Sequence, residues 1–256
     1  KGVEDRASSK GYSVLICNNE TRTPNKEAEQ VELLLRKQID GIIFMSSSSQ
    51  KMEPYIWELQ QLKIPFVLIN RDVTDCNVSQ IRIRHDKGMY MAVEHLARLG
   101  HKRIGCISNP PVGKSILEQL KGYETAVKEL GLGFSPELIF IHSKDDVEIG
   151  RVGISKLLQQ ASPPTGVVCV NDYIAFGAIQ RALSEGASVP EKLSVVGYHN
   201  LKCSRLMKPL ITTIHHPLEE GGKRAVDLLI DREDPTIPEV MELECSLVER
   251  ESTQYI

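Results

Sequence analysis

Long apolar runs are missing from this 256-residue sequence. None approaches the roughly 18 residues that a membrane-spanning helix needs, so a membrane protein is not expected, and neither is a secretory leader. A dominant charge is missing too: 31 Lys+Arg stand against 34 Asp+Glu, a formal net charge of −3. That balance argues against a nucleic-acid-binding surface within these residues. Cysteines are few and scattered. The six are Cys17, Cys76, Cys106, Cys169, Cys203 and Cys245, no two of them closer than 30 residues. Neither a CxxC redox pair nor a zinc ribbon can be drawn from them. Cys17, Cys106 and Cys169 lie in apolar runs and read as reduced, buried thiols of a cytoplasmic protein rather than a disulfide framework.

Signatures of nucleotide and hydrolase chemistry are absent as well. No GxGxxG follows an apolar run, and neither GxSxG nor HExxH occurs. Gly113-Lys114-Ser115 imitates the end of a phosphate loop. That loop needs a glycine five residues before its last one, where Ser108 stands, and Pro111 removes an amide donor. Among the seven histidines no carboxylate spacing supports a metal site, and no nucleophile–base pair can be named. The expectation is a protein that binds rather than reacts, without metal or cofactor.

What is present is a folded α/β composition, 41% apolar and 25% charged. Short β-branched runs alternate with helical patterns: Tyr12–Cys17, Gly41–Met45, Phe66–Ile69, Arg103–Ile107, Leu138–Ile141, Gly166–Val170 and Leu193–Gly197. Several are continuously apolar, as parallel strands buried on both faces are. Between them run amphipathic stripes: Ala28, Val31, Leu34 and Leu35; Met89, Val93, Leu96 and Leu99 before Gly100; Leu117, Leu120, Ala126, Val127 and Leu130 before Gly131; and Ile174, Ala178, Ile179, Ala182 and Leu183 before Gly186. The alternation predicts doubly wound parallel sheets, and the length favours two sheets of four to six strands. Ligands of such sheets bind beyond the strand carboxyl ends. The loops to read are therefore Ser46–Ser49, Asn70-Arg71, Ser108–Ser115, His142, Asn171-Asp172 and His199-Asn200.

One family shares this spacing. Asn171-Asp172 with Ala175, Gly177 and Ala178, then Ser188-Val189-Pro190, Leu193–Gly197, Pro209 and Thr212-Thr213-Ile214, resembles the LacI/GalR transcriptional regulators. His95-Leu96, Gly100-His101-Lys102-Arg103-Ile104, Asn70-Arg71 and the Val248–Thr253 stretch are collinear with it. The resemblance implies an α/β effector-binding and dimerisation core of periplasmic-binding-protein-like type I, with two doubly wound parallel-sheet subdomains joined by three crossings and a small molecule in the cleft. On that template the first subdomain is 1–108 plus about 212–232, and the second is 109–211 plus about 236–256. The family's first strand and its DNA-binding headpiece have no counterpart here, so a piece of a longer regulator is expected, with operator DNA contacted by the missing headpiece. The resemblance further implies a cytoplasmic homodimer.

Carried over one position at a time, the family's effector contacts fall on Asn70, Ser115, Gln119, His142, Asn171, His199 and His216. Asp172 is then read as the cap of the following helix. Gln119 stands where the family usually has an Arg, His199 where it has an Asp, and His216 where it has a Gln; Arg84-His85 replaces a common Asp-Asn. Exchanging an acceptor-only carboxylate for imidazoles makes the pocket less acidic, whereas losing the guanidinium pulls the other way. An anionic sugar derivative, a sugar acid or sugar phosphate, is favoured over a neutral sugar. Two alternatives remain open: control mainly by a phosphorylated carrier protein, and a periplasmic sugar-binding transport receptor.

Overall fold

The computed structural model of the chain describes residues 1–18, 24–45, 54–71, 78–232 and 237–256. In chain order the elements are α1 (Gly2–Ser9), α2 (Pro24–Arg36), β1 (Ile42–Met45), α3 (Pro54–Gln61), β2 (Phe66–Ile69), β3 (Ser79–Ile83), α4 (His85–Arg98), β4 (Ile104–Ser108), α5 (Lys114–Glu129), β5 (Ile139–Ile141) and α6 (Asp146–Leu158). They continue with β6 (Gly166–Cys169), α7 (Asp172–Ser184), β7 (Ser194–Tyr198), β8 (Thr212–His215), α8 (Leu218–Ile230), β9 (Val240–Leu243) and β10 (Ser246–Val248). Gly100, Gly131 and Gly186 close α4, α5 and α7 with φ of 98°, 66° and 81°, the left-handed stop that the sequence pattern anticipates.

Two units result: Lys1–Ile83 with Pro217–Leu243, and Arg84–His216 with Glu244–Ile256. The chain crosses between them three times, at 83/84, 216/217 and 243/244.

The first unit holds four parallel strands in the order β1-β2-β3-β9. β2 is buried along its whole length, and its side chains alternate between two cores. Phe66 and Leu68 meet Phe44, Val31, Tyr55, Ile56 and Leu59 from β1, α2 and α3. Val67 and Ile69 meet Ile81 and, from α8, Ala225 and Leu228. The second unit is a six-stranded sheet, β10-β8-β7-β6-β4-β5, parallel throughout except for β10, which runs antiparallel to β8. β4, β6 and β7 are buried at every residue, which explains their uninterrupted apolar sequence.

Three expectations are corrected. The boundary at 108/109 moves to 83/84, because β4 pairs with both β5 and β6 and so lies inside the six-stranded sheet. For the same reason Thr212–His215 belongs to the second unit through β7, and Val240–Leu243 to the first through β3. Apolar runs of equal quality do not declare which sheet they join. The Tyr12–Cys17 run is not a strand: no neighbour among the described residues pairs with it, Leu15 and Ile16 are 60% and 82% exposed, and Cys17 is exposed rather than buried. Cys106 and Cys169 are buried free thiols. The Ser46–Ser49 loop and Cys76 lie outside the described residues.

Candidate functional site

Because β4 to β8 are parallel, their carboxyl ends share one edge of the second unit. Four of the seven residues expected to meet an effector stand on it. His142 directly follows β5, Asn171 lies two residues beyond β6, His199 directly follows β7, and His216 directly follows β8. The His142 ring stacks on Phe140, with centroids 6.0 Å apart and planes at 15°. Its Nδ1 is buried with no hydrogen-bond partner among the described residues, an atom that a ligand oxygen or N–H would satisfy.

His199 and His216 come together. Their Nδ1 atoms are 3.3 Å apart and the rings meet edge to face at 4.4 Å. The backbone holds this pair in place: the His199 N–H donates to Ile214 O at 2.8 Å, and His199 adopts φ 92°. A non-glycine residue in that region is strained, and such strain collects at working sites. Beside the pair stands buried Tyr198, whose hydroxyl is 3.2 Å from His85 Nδ1 and 3.3 Å from Cys245 Sγ. Room for that hydroxyl comes from Gly88 on α4, where a Cβ would lie 2.4 Å from it. The His85 and His216 rings are 5.8 Å apart. Burial lowers all three imidazoles, and like charge adds to it, from His216 at His85, from His216 and His85 at His199, and from His215 at His216: His85 falls to about 4, His199 to about 3 and His216 to about 4. At neutral pH the cluster is uncharged and rich in both donors and acceptors.

The cap expected of Asp172 is corrected: it falls on Asn171. Asn171 caps α7, its Oδ1 accepting from the Ile174 N–H at 2.8 Å. Asp172 is wholly buried and accepts instead from the Thr213 hydroxyl and the Leu201 N–H. Arg250 completes the clamp on this loop, donating to Asn200 Oδ1 at 2.6 Å, Ile211 O at 2.6 Å and Ser204 Oγ at 3.1 Å. A capping Asn and a buried Asp are both polar residues at a strand-to-helix turn, so local pattern could not assign the two roles.

Gln119 is buried on α5 and donates to Val170 O at 3.2 Å, which ties it to the end of β6. Ser115 is half-buried in the first turn of the same helix. Asn70 belongs to the first unit; its Oδ1 accepts from the Ile83 N–H at 2.8 Å, and its φ is 52°. Two members of the cluster, His85 and Tyr198, were not anticipated as site residues. The Arg84-His85 departure was the available signal for His85. Nothing in the pattern distinguishes Tyr198 from a core residue. His95 and His101 are structural, bonded to Thr253 Oγ1 at 3.0 Å and Thr165 Oγ1 at 2.9 Å. No group of three or more His, Cys, Asp or Glu among the described residues is arranged to hold a metal ion.

Comparison with known proteins identifies the family. A family model for a periplasmic binding protein-like domain matches residues 93–253. The chain is 31% identical over 234 residues to the HTH-type transcriptional repressor PurR of Aliivibrio salmonicida, covering 90% of this chain and 68% of that one. It is 32% identical over 234 residues to the HTH-type transcriptional repressor CytR of Escherichia coli, covering 91% and 67%. The chain belongs to the LacI/GalR family. As an effector-binding domain of that family it superposes on solved relatives. One is the transcriptional regulator CelR in complex with cellobiose, with a TM-score of 0.85 and 26% identity over 98% of this chain and 76% of that one. Another is a LacI family regulator from Enterococcus faecium with bound ribose, with a TM-score of 0.84 and 25% identity over 100% and 92%. The matched curated relatives are repressors, not enzymes. No helix among the described residues of this LacI/GalR domain is long and apolar enough to cross a membrane.

Proposed function

We propose that this chain is the ligand-sensing, dimerising core of a cytoplasmic LacI/GalR repressor, that its effector is a small sugar-like molecule, and that an anionic sugar derivative is preferred to a neutral sugar. The observation that carries the reading is the set of polar groups gathered on one sheet edge: His142 with its unpartnered nitrogen, Asn171, and the facing His199 and His216. Rings supply flat surfaces, and their nitrogens supply directional donors and acceptors, as a polyhydroxylated ligand requires. Two relatives of known structure hold sugars, cellobiose and ribose. The anionic preference is supported by the surroundings. α5 begins without a side-chain cap, leaving N–H groups for negative charge, and Lys114 opens it close enough to His85 to lower its pKa.

The effector acts by differential affinity for two conformations, which is the only way a ligand shifts an equilibrium. Operator DNA is contacted by a headpiece outside these residues. A second copy of the chain is supported by exposed apolar side chains of the second unit, Tyr173 and Leu183 on α7 and Leu206 at 81% exposure.

Thermal unfolding against neutral sugars, sugar acids and sugar phosphates, with product analysis of each hit, tests the reading. A specific ligand at about 100 times its Kd adds ~2.7 kcal/mol and raises Tm by several degrees or less. Stabilisation without turnover is expected; turnover would make the protein an enzyme, and stabilisation by neutral sugars alone would remove the anionic preference.

A further inference from the structure

His85 is the second residue of the second unit after the crossing at 83/84, Cys245 is the second after 243/244, and His216 is the last before 216/217. Tyr198, wholly buried at the end of β7, meets all three. Its hydroxyl lies 3.2 Å from His85 Nδ1 and 3.3 Å from Cys245 Sγ, and its ring lies 6.4 Å from that of His216. A side-chain hydrogen bond also joins it to Gln119, whose amide donates to Val170 O at 3.2 Å. The Cys245 thiol in turn donates to Arg84 O at 3.6 Å.

These neighbours fall into two sets. Gln119, His216 and the adjoining His199 are expected effector contacts, whereas Arg84, His85 and Cys245 flank two crossings and carry no such expectation. One hydroxyl serves both sets. There is no slack in the joint: a Cβ on Gly88 would lie 2.4 Å from the Tyr198 oxygen and 2.9 Å from Cys245 Sγ, so α4 packs directly on both.

We propose that Tyr198 is a positioning residue of the sensor: through its hydroxyl, an effector bound at the carboxyl edge of the six-stranded sheet steadies residues 84–88 and 244–246, the segments that lead to two of the crossings. The inference rests on the sensor reading above and adds the residue that carries binding onward.

The physical basis is linkage between local openings. Freeing either segment breaks a buried bond to Tyr198 and leaves a polar group unsatisfied, so the segments open together with the end of β7 rather than alone. A ligand that holds His199 and His216 in place makes that joint opening rarer. Order then passes from the edge to the crossings with no change of fold. The crossing at 216/217 needs no such relay, because His216 is itself expected to meet the effector.

Amide hydrogen exchange tests the assignment, with and without whichever of ribose, cellobiose, gluconate and glucose 6-phosphate raises Tm most. Each form of the chain is measured at roughly 100 times its own Kd for that probe, so that changes in affinity do not enter. In the wild-type chain the probe should slow exchange in residues 84–88 and 244–246 by about fivefold or more. Y198F should keep the slowing at His199 and Asn200 and lose it in both segments. C245A should lose it at residues 244–246, a readout that remains if Y198F does not fold. A merely structural role would speed exchange in both conditions and leave their ratio intact. An intact ratio in the segments named for either variant overturns the relay. So does a wild-type chain that binds the probe without slowing in those segments, and the sensor reading then stands. If none of the probes raises Tm, the sensor reading itself falls, and the relay with it.

Discussion

The Asp172 carboxylate accepts from the Thr213 hydroxyl at 2.6 Å and, with its other oxygen, from the Leu201 N–H at 2.6 Å. One buried side chain at the start of α7 thereby fixes both β8 and the loop that begins with His199. Replacing Thr213 by Val removes one donor and leaves a carboxylate oxygen unsatisfied, at an expected cost of ~1–3 kcal/mol. Asp172→Asn should cost less than Asp172→Ala, since the amide oxygen can keep one bond. Urea denaturation at neutral pH measures all three, and Thr213→Val indistinguishable from wild type would contradict the clamp.

Acid should weaken the fold. His85, His199 and His216 lie well below the ordinary 6.5, so below that pH the unfolded chain binds protons that the folded one refuses. Stability then falls from about pH 6.5 toward about pH 4, by on the order of 1 kcal/mol per pH unit for each imidazole. Asp172 opposes this: burial raises it to about 6 from 3.8, a contribution complete below its unfolded value and lost as pH rises through 6. Three imidazoles outweigh one carboxylate. Denaturation at successive pH values should show a decline that His199→Asn with His216→Asn makes shallower; a gain in stability on acidification would refute the balance.

Helices α6 and α7 approach closely at Gly177, where a Cβ would lie 2.0 Å from the backbone oxygen of Val147. Gly177→Ala must push backbone from backbone and should cost ~1–3 kcal/mol or more. Gly113 has nothing within 4 Å of its position, so Gly113→Ala should shift the midpoint by only a few tenths of a kcal/mol. Equal effects would mean that the interhelical contact is looser than described.

In the first unit the Arg71 guanidinium is buried, 2.6 Å from Glu27 and 2.8 Å from the Tyr55 hydroxyl, with the Phe44 ring 5.2 Å away. Glu27→Gln strands a buried cation and should cost ~3 kcal/mol or more. Arg71→Met leaves Glu27 with 21% of its side chain exposed, and that carboxylate can turn to water at a smaller cost. The reverse order of the two variants would contradict this account.

The strand–helix alternation and the polar strand ends were legible because both are written locally, in runs of Val, Ile and Leu and in the glycines that stop helices. Sheet membership was not: β4 reads the same whether it closes one sheet or centres another, and only pairing with β5 and β6 decides. Tyr12–Cys17 has a strand's composition, yet a strand also needs a neighbour to bond. His199 and His216 could be placed at strand ends, but their facing Nδ1 atoms depend on the register of β7 with β8, where Tyr198 lies opposite Ile214. Tyr198 and His85 meet across 113 residues, a distance that no motif records.

The central claim is that a small sugar-like effector sits on the carboxyl edge of the six-stranded sheet. Backbone amide shifts of the labelled chain, followed while the most stabilising sugar is added, test it most directly. The account predicts that the largest changes gather at His142, Asn171, His199 and His216. Changes confined to the outer face of α6 and α7, or none at saturation, would contradict it.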